Sequence, residues 1–183
     1  WLISSRPHRP QLQSVPYYFL PGREHLVKLR RSRHTASLKK LTLARRVGEY
    51  LKFFPTIKLV AITGALAMHN SDPDDDIDLM IITSPNTLWL TRLFVIPLIG
   101  VFFKLRKPLI RNTKYLIHSD EICLNLWLDE TSLTVPTSKQ NLYTAHEVAQ
   151  IKPIINKDMT YQQFLSANSW INHYLPNVKI HKS

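Results

Sequence analysis

Apolar residues recur along this chain with two different periods, and the change of period marks its elements. In TASLKKLTLARRVGEYLKFFP, residues 35–55, Leu38, Leu41, Ala44, Val47, Tyr50 or Leu51, and Phe54 repeat at the spacing of one helix face. Thr35 or Ser37 supplies the N-cap, Pro55 supplies the stop, and Lys39, Lys40, Arg45, Arg46 and Lys52 take the outer face. By contrast, TIKLVAIT (56–63) and DIDLMIIT (76–83) are near-continuous aliphatic runs, as in strands covered on both sides. A short helix starting after Gly64 would join them into a strand, helix, strand unit.

Upstream, YYFLPGRE places apolar runs around Pro21-Gly22, which predicts a short hairpin across that turn. Downstream, Leu93 to Phe103 is an 11-residue apolar run interrupted by Pro97 and Gly100. A bilayer span needs about 20 such residues, so the run predicts a buried helix and no stable membrane insertion. EICLNLWLD alternates, with Ile122, Leu124, Leu126 and Leu128 on one face and Cys123, Asn125 and Trp127 on the other. YTAHEVAQI and TYQQFLSANSWINHYL predict two further helices separated by Pro153. The 183 residues, 44% hydrophobic, suffice for one sizeable core with a small appended module, and no internal repeat or low-complexity tract is present.

Charge changes the picture because it is uneven. The whole net charge of +11 resides in residues 1–58, where 13 Lys and Arg face two acids, Glu24 and Glu49; the remainder is balanced at 11 bases and 11 acids. Such a segment either attracts an acidic partner, nucleic acid above all, or forms a solvated basic face. The single cysteine, Cys123, lies between Ile122 and Leu124 and reads as a small buried side chain that can form no internal disulfide. No signal peptide is visible in the first residues, so the cytoplasm is the expected compartment.

Against that basic background, ITGALAMHNSDPDDDIDLMIIT places Asp72, Asp74, Asp75, Asp76 and Asp78 within seven residues. Carboxylates this close raise one another's pKa unless a cation sits among them. Asp72, Asp74 and Asp75 have the chemistry of an acidic turn. Asp76 and Asp78 differ, because residues two apart on a strand project from one face, where two carboxylates can share a magnesium ion. Gly64, where the preceding strand ends, lets backbone amides approach an anion. On the helix after the second strand, Arg92 and Trp89 could hold a phosphate and a base, although core packing accounts equally for the tryptophan. The histidines show no metal-ligand spacing.

The pattern of a strand, a glycine followed by a small residue (Gly-Ser or Gly-Gly in the family), about ten residues and Asp-x-Asp in a second strand resembles the DNA polymerase beta-like nucleotidyltransferase superfamily. Here it reads Gly64-Ala65 followed by Asp76-Ile77-Asp78. The LWLTR helix and the ICLNLWL strand are similar to those of bacterial nucleotidyltransferase-domain proteins, and YYFLPGRE resembles the wing of their amino-terminal winged helix. The likeness extends over residues 16–155 and is strongest over 57–83. It implies an α+β, α/β-like fold with a short mixed sheet flanked by helices. Residues 1–33 would be a partial winged-helix-like segment, 34–155 the catalytic core, and 156–183 a carboxy-terminal helix and tail.

The resemblance further implies Mg2+ held by Asp76 and Asp78, an NTP whose phosphates meet Gly64, Ala65 and Arg92, and transfer of a nucleoside monophosphate to an acceptor hydroxyl on nucleic acid, protein or a small molecule. The sequence departs from the pattern twice. Ala65 stands where a serine or glycine is usual, and Asn125 stands at the third-carboxylate position, with Asp120, Glu121, Asp129 and Glu130 as nearby substitutes. Those departures, with the basic first third, define the alternative: a catalytically inactive nucleotidyltransferase fold that binds nucleic acid.

Overall fold

The computed structural model describes residues 3–5, 17–103 and 121–178. Strands β1 (Ile3–Ser5) and β2 (Tyr17–Phe19) pair antiparallel, and the turn at Gly22 leads directly into helix α1 (His25–Leu51). The hairpin predicted across Pro21-Gly22 is therefore absent, because the chain after the turn is helical. Ser37 and Thr35 lie inside α1, where their hydroxyls donate to the carbonyls one turn back, Arg33 at 2.7 Å and Arg31 at 3.1 Å, instead of capping its start. One helix thus crosses the boundary expected between 33 and 34, and residues 1, 2 and 6–16 of the winged-helix-like segment lie outside the described residues.

The centre is a four-stranded mixed sheet built from β3 (Ile57–Ile62), β4 (Ile77–Thr83), β5 (Ile122–Asp129) and β6 (Lys152–Asn156), in the order β5-β4-β3-β6. β3 runs antiparallel to both neighbours, while β4 and β5 are parallel. Helix α2 (Gly64–Ala67) links β3 to the acidic loop, and α3 (Leu88–Phe102) follows β4. The two central strands are continuous apolar runs because both faces are covered. On one face Val60, Ile62, Leu79 and Ile81 pack with Leu41, Ala44 and Val47 of α1 and Val95 and Ile99 of α3. On the other, Leu59, Ala61, Met80 and Ile82 pack with α4 (Leu142–Gln150), α5 (Thr160–Ala167) and α6 (Ile171–Tyr174). The chain is α+β, a short mixed sheet flanked by helices.

Three elements differ from the sequence pattern. Lys152 to Asn156 is a strand although it contains Pro153, which an edge strand tolerates because it has one neighbour only. The α3 run is only half covered, with Thr91, Val95 and Ile99 buried and Leu90, Leu93 and Phe94 exposed. In β5 the alternation breaks at a bulge, since Leu79 pairs with Leu124 but Met80 pairs with Leu126. Asn125 is the extra residue, so Trp127 joins Leu124 against the α1 and α3 face, Leu128 packs on the opposite face, and Leu126 is exposed. Cys123 is half-buried, less enclosed than its flanking leucine and isoleucine suggested.

Candidate functional site

The acidic stretch divides into two parts, and α1 organises the first. Arg33 reaches Asp72 Oδ2 with Nε at 3.3 Å and Nη2 at 3.2 Å. Asp75 Oδ2 accepts the Asp72 backbone N–H at 2.7 Å, three residues back, which holds the loop's own geometry. Ser37 Oγ accepts the Ser71 N–H at 3.0 Å, Lys40 Nζ donates to the Asp75 carbonyl, and Arg30 donates to the carbonyls of Met68, at 3.1 Å, and His69. Lys40 was expected on the outer face of the helix but is only 2% exposed, because the loop folds over it. Part of the positive charge that the aspartates demand therefore comes from α1. Asp74 is exposed.

The second part sits at the mouth of the two central strands. Asp76 is half-buried and immediately precedes β4, and Asp78 is the second residue of that strand. The Thr63 N–H donates to the Asp78 carbonyl at 3.0 Å, closing the β3–β4 pair just before the chain turns at Gly64. Gly64 has φ of +61°, and a Cβ there would lie 3.1 Å from Asp78 Oδ2. Glycine is thus favoured twice, by the left-handed backbone and by the carboxylate pressed against it. On the other side, Asn125 Nδ2 donates to Asp78 Oδ1 at 3.2 Å, which the β5 bulge makes possible. Asp78 is held between a bare backbone turn and a neutral amide. Ala65 is exposed on α2, and the Thr63 hydroxyl is buried without a hydrogen-bond partner beside the turn.

Of the carboxylates near the third position, Asp129 and Glu130 lie at the far end of β5, since Asp129 pairs with Thr83. Asp129 is occupied there: the Thr131 N–H and hydroxyl and the Asn86 N–H hold its carboxyl below the usual range. Glu121 is closer, because its carbonyl accepts the Ile77 N–H at 2.8 Å at the start of β4, whereas Asp120 lies outside the described residues. Among the described residues no group of three or more His, Cys, Asp or Glu is arranged to hold a metal ion. The Asp78 carboxylate, the Asn125 amide and the Gly64 backbone turn meet at this mouth, and Asp76 lies two residues before Asp78 in the chain.

Arg92 lies elsewhere. Its guanidinium sits over the rings of both Trp89 and Trp127, 5.4 Å from each centroid. Trp127 pairs with Ile81, three positions along β4 from Asp78, and packs on the α1 and α3 face. The structure therefore brings Gly64 and Asn125 against Asp78, with Ala65 and Asp76 adjoining them along the chain, and places Arg92 over Trp89 and Trp127.

Cations that the sequence did not single out lie behind the Gly64 turn. Lys152 pairs with Ile62, and the rings of His34 and His69 stack with centroids 5.6 Å apart. Burial depresses the pKa of His69 first, and the positive charges of Lys152, His34, Arg30 and Arg45 depress it further. Only the charge imbalance of the first third hinted at such a cluster, and nothing in the local pattern marked Lys152 or His69.

No family model matches the chain, nor does any curated protein. Two solved structures overlap it. One, a toxin-antitoxin with AMP-PNP, is 12% identical over 75% of this chain and 87% of its own, with a TM-score of 0.38. The other, a mutant of the toxin-antitoxin MntA-HpeT, is 10% identical over 70% of this chain and 88% of its own, with a TM-score of 0.39. Overlaps this shallow fix neither activity nor substrate.

Proposed function

We propose that the chain is a magnesium-dependent nucleotidyltransferase, moving a nucleoside monophosphate from an NTP to an acceptor hydroxyl. The observation that carries this reading is the Gly64 turn, φ +61°, set so close to the Asp78 carboxylate that a Cβ would lie 3.1 Å from its Oδ2. A turn of that kind offers backbone amides to phosphates beside a carboxylate, an arrangement that makes sense when a cation bridges the two. Magnesium suits the donors present, because it commonly takes one or two carboxylates and completes its shell with waters and substrate phosphates. Asp76 and Asp78 would hold it, and rotation of the Asn125 amide would turn its oxygen toward the same place. When bound, the ion supplies charge neutralisation on the phosphates and alignment of the attacking oxygen.

The chain's own residues then have limited tasks. Gly64 and Ala65 position the phosphate chain, and Asp78 presents its carboxylate beside that turn. The acceptor oxygen forms a bond to the α-phosphorus, the bond to the bridging oxygen breaks, pyrophosphate leaves and the acceptor proton passes to solvent. Asn125 cannot act as a base, so acceptors whose hydroxyl is already acidic or polarised are favoured. Nucleic acid or a protein side chain would serve as acceptor.

One observation favours a second reading, a catalytically inactive fold that binds nucleic acid. The Asn125 amide already engages Asp78, while Lys28, Arg31, Lys39, Arg45 and Arg46 stay exposed along α1. Incubation with labelled NTPs and nucleic-acid and protein acceptors, with magnesium present or chelated, separates the two. Label transferred only with the metal supports the transferase. Salt-sensitive duplex binding without transfer under any nucleotide supports the other.

A further inference from the structure

Helix α3 is apolar on two sides. Its inner side, Thr91, Val95 and Ile99, is buried against the sheet, whereas Leu90, Leu93, Phe94 and Val101 recur at helical spacing on the outer side and are 55 to 77% exposed. Trp89, 77% exposed, and Phe102 flank this stripe at its two ends. Single exposed apolar residues are ordinary, but a continuous stripe of this length on one helix marks a surface that something covers.

The surroundings select the occupant. Tyr50 of α1 stacks on Phe102 at 5.5 Å and meets Phe103 edge-on at 5.4 Å, so the end of α1 meets the end of the stripe. On the same side of α1 as Tyr50, Arg46 is exposed one turn earlier and Lys39 three turns earlier, and Phe53 follows, 77% exposed, with Lys52 over its ring. At the other end Arg92 lies between Trp89 and Trp127. No acid occurs in α3; Glu49 is paired to Lys52, and Asp129 is held by Asn86 and Thr131. An apolar, tryptophan-flanked stripe bordered by cations matches an anionic bilayer surface, where aromatic rings settle at headgroup depth and basic side chains meet lipid phosphates. A second copy fits less well, because pairing two such stripes would bring Arg46, Lys52 and Arg92 of one +11 chain against those of another.

We propose that the outer face of α3 docks the protein peripherally on membranes rich in anionic lipid, without spanning them. No helix among the described residues is long and apolar enough to cross a bilayer, and this docking does not depend on the transferase reading. Co-sedimentation of the full chain with phosphatidylcholine vesicles, with and without a quarter phosphatidylglycerol, tests it. Binding is expected only with the anionic lipid. It should fall about fivefold for each of Arg46→Glu and Lys52→Glu. Leu93→Glu with Phe94→Glu should reduce it at least tenfold, and the single Val101→Glu serves if that pair fails to fold. The proposal is overturned if the wild-type chain ignores anionic vesicles, or binds neutral ones equally. It is also overturned if the chain forms a dimer that Val101→Glu dissociates, or if the glutamates only lower the melting temperature, which would mean that the chain covers its own stripe.

Discussion

The two halves of the acidic stretch contain the same side chain and do different things. In residues 72–75 the carboxylates are absorbed by local structure: Asp72 is paired to Arg33, and Asp75 closes a turn over Lys40. In residues 76–78 the backbone is that of a strand start, and Asp78 meets a bare glycine turn and an amide. Charge density alone therefore does not define a site. What distinguishes the second half is that the fold withholds a side chain where one would fit in sequence, at Gly64, and places a neutral group, Asn125, where a cation would have neutralised it.

The largest expected effect follows from removing charge in the second half. Asp76→Asn with Asp78→Asn keeps shape but removes the metal donors, so transfer should fall by more than about a hundredfold, in line with loss of a transition-state charge clamp. Magnesium with NTP should raise the wild-type melting temperature and leave that of the double variant unchanged. An equal rise in both would dissolve the distinction between the halves.

Removing the cation from the first half should have the opposite signature. Lys40→Met retains the buried stem but leaves the Asp75 carbonyl without its donor, a loss of about 1–3 kcal/mol of stability in urea titration. The folded fraction should still respond to magnesium and NTP. Arg33→Ala, cutting a half-exposed ion pair, should cost no more than about 1 kcal/mol and less at high salt.

Gly64→Ala touches both requirements at once. The left-handed backbone costs about 1–2 kcal/mol for a residue with Cβ, and the methyl, 3.1 Å from Asp78 Oδ2, moves the carboxylate by a few tenths of an ångström. Nucleotide-induced stabilisation should weaken more than this loss of stability explains. If both fall in proportion, Gly64 is a turn residue only.

How much of this was legible in the sequence depends on which forces were local. The strand, glycine, strand unit was readable because β3 and β4 are covered on both faces and their runs admit no other burial. The start of α1 was misplaced because Thr35 and Ser37 look like caps, and only the carbonyls one turn back reveal their interior role. β6 was hidden by Pro153, whose tolerance depends on having a single neighbour, a property of topology. The Asn125 bulge is equally invisible, since alternation in ICLNLWL is unbroken on paper, and it decides which side chain reaches Asp78. Helical spacing points Lys40 to solvent because it cannot anticipate a loop folding back from 35 residues away.

The smallest effect expected is a pH dependence within the first half. His69 ends the turn that α1 pins, and its Nδ1 is buried without a hydrogen-bond partner. Burial first, then Lys152, His34, Arg30 and Arg45, hold its pKa below the ordinary 6.5. The folded form therefore binds its proton less readily than the unfolded one. The neutral ring's contribution to stability is complete above the unfolded value, near 6.5, and is lost as pH falls toward the depressed folded value. Melting temperatures measured from pH 7.5 to pH 5 should decline for wild type, and His69→Gln, which cannot charge, should flatten that decline. Because the cations facing His69 come from α1 and β6 and no acid contributes to its shift, raising salt should also flatten the wild-type curve. An identical slope in the glutamine variant would show that His69 is not the source of the acid sensitivity.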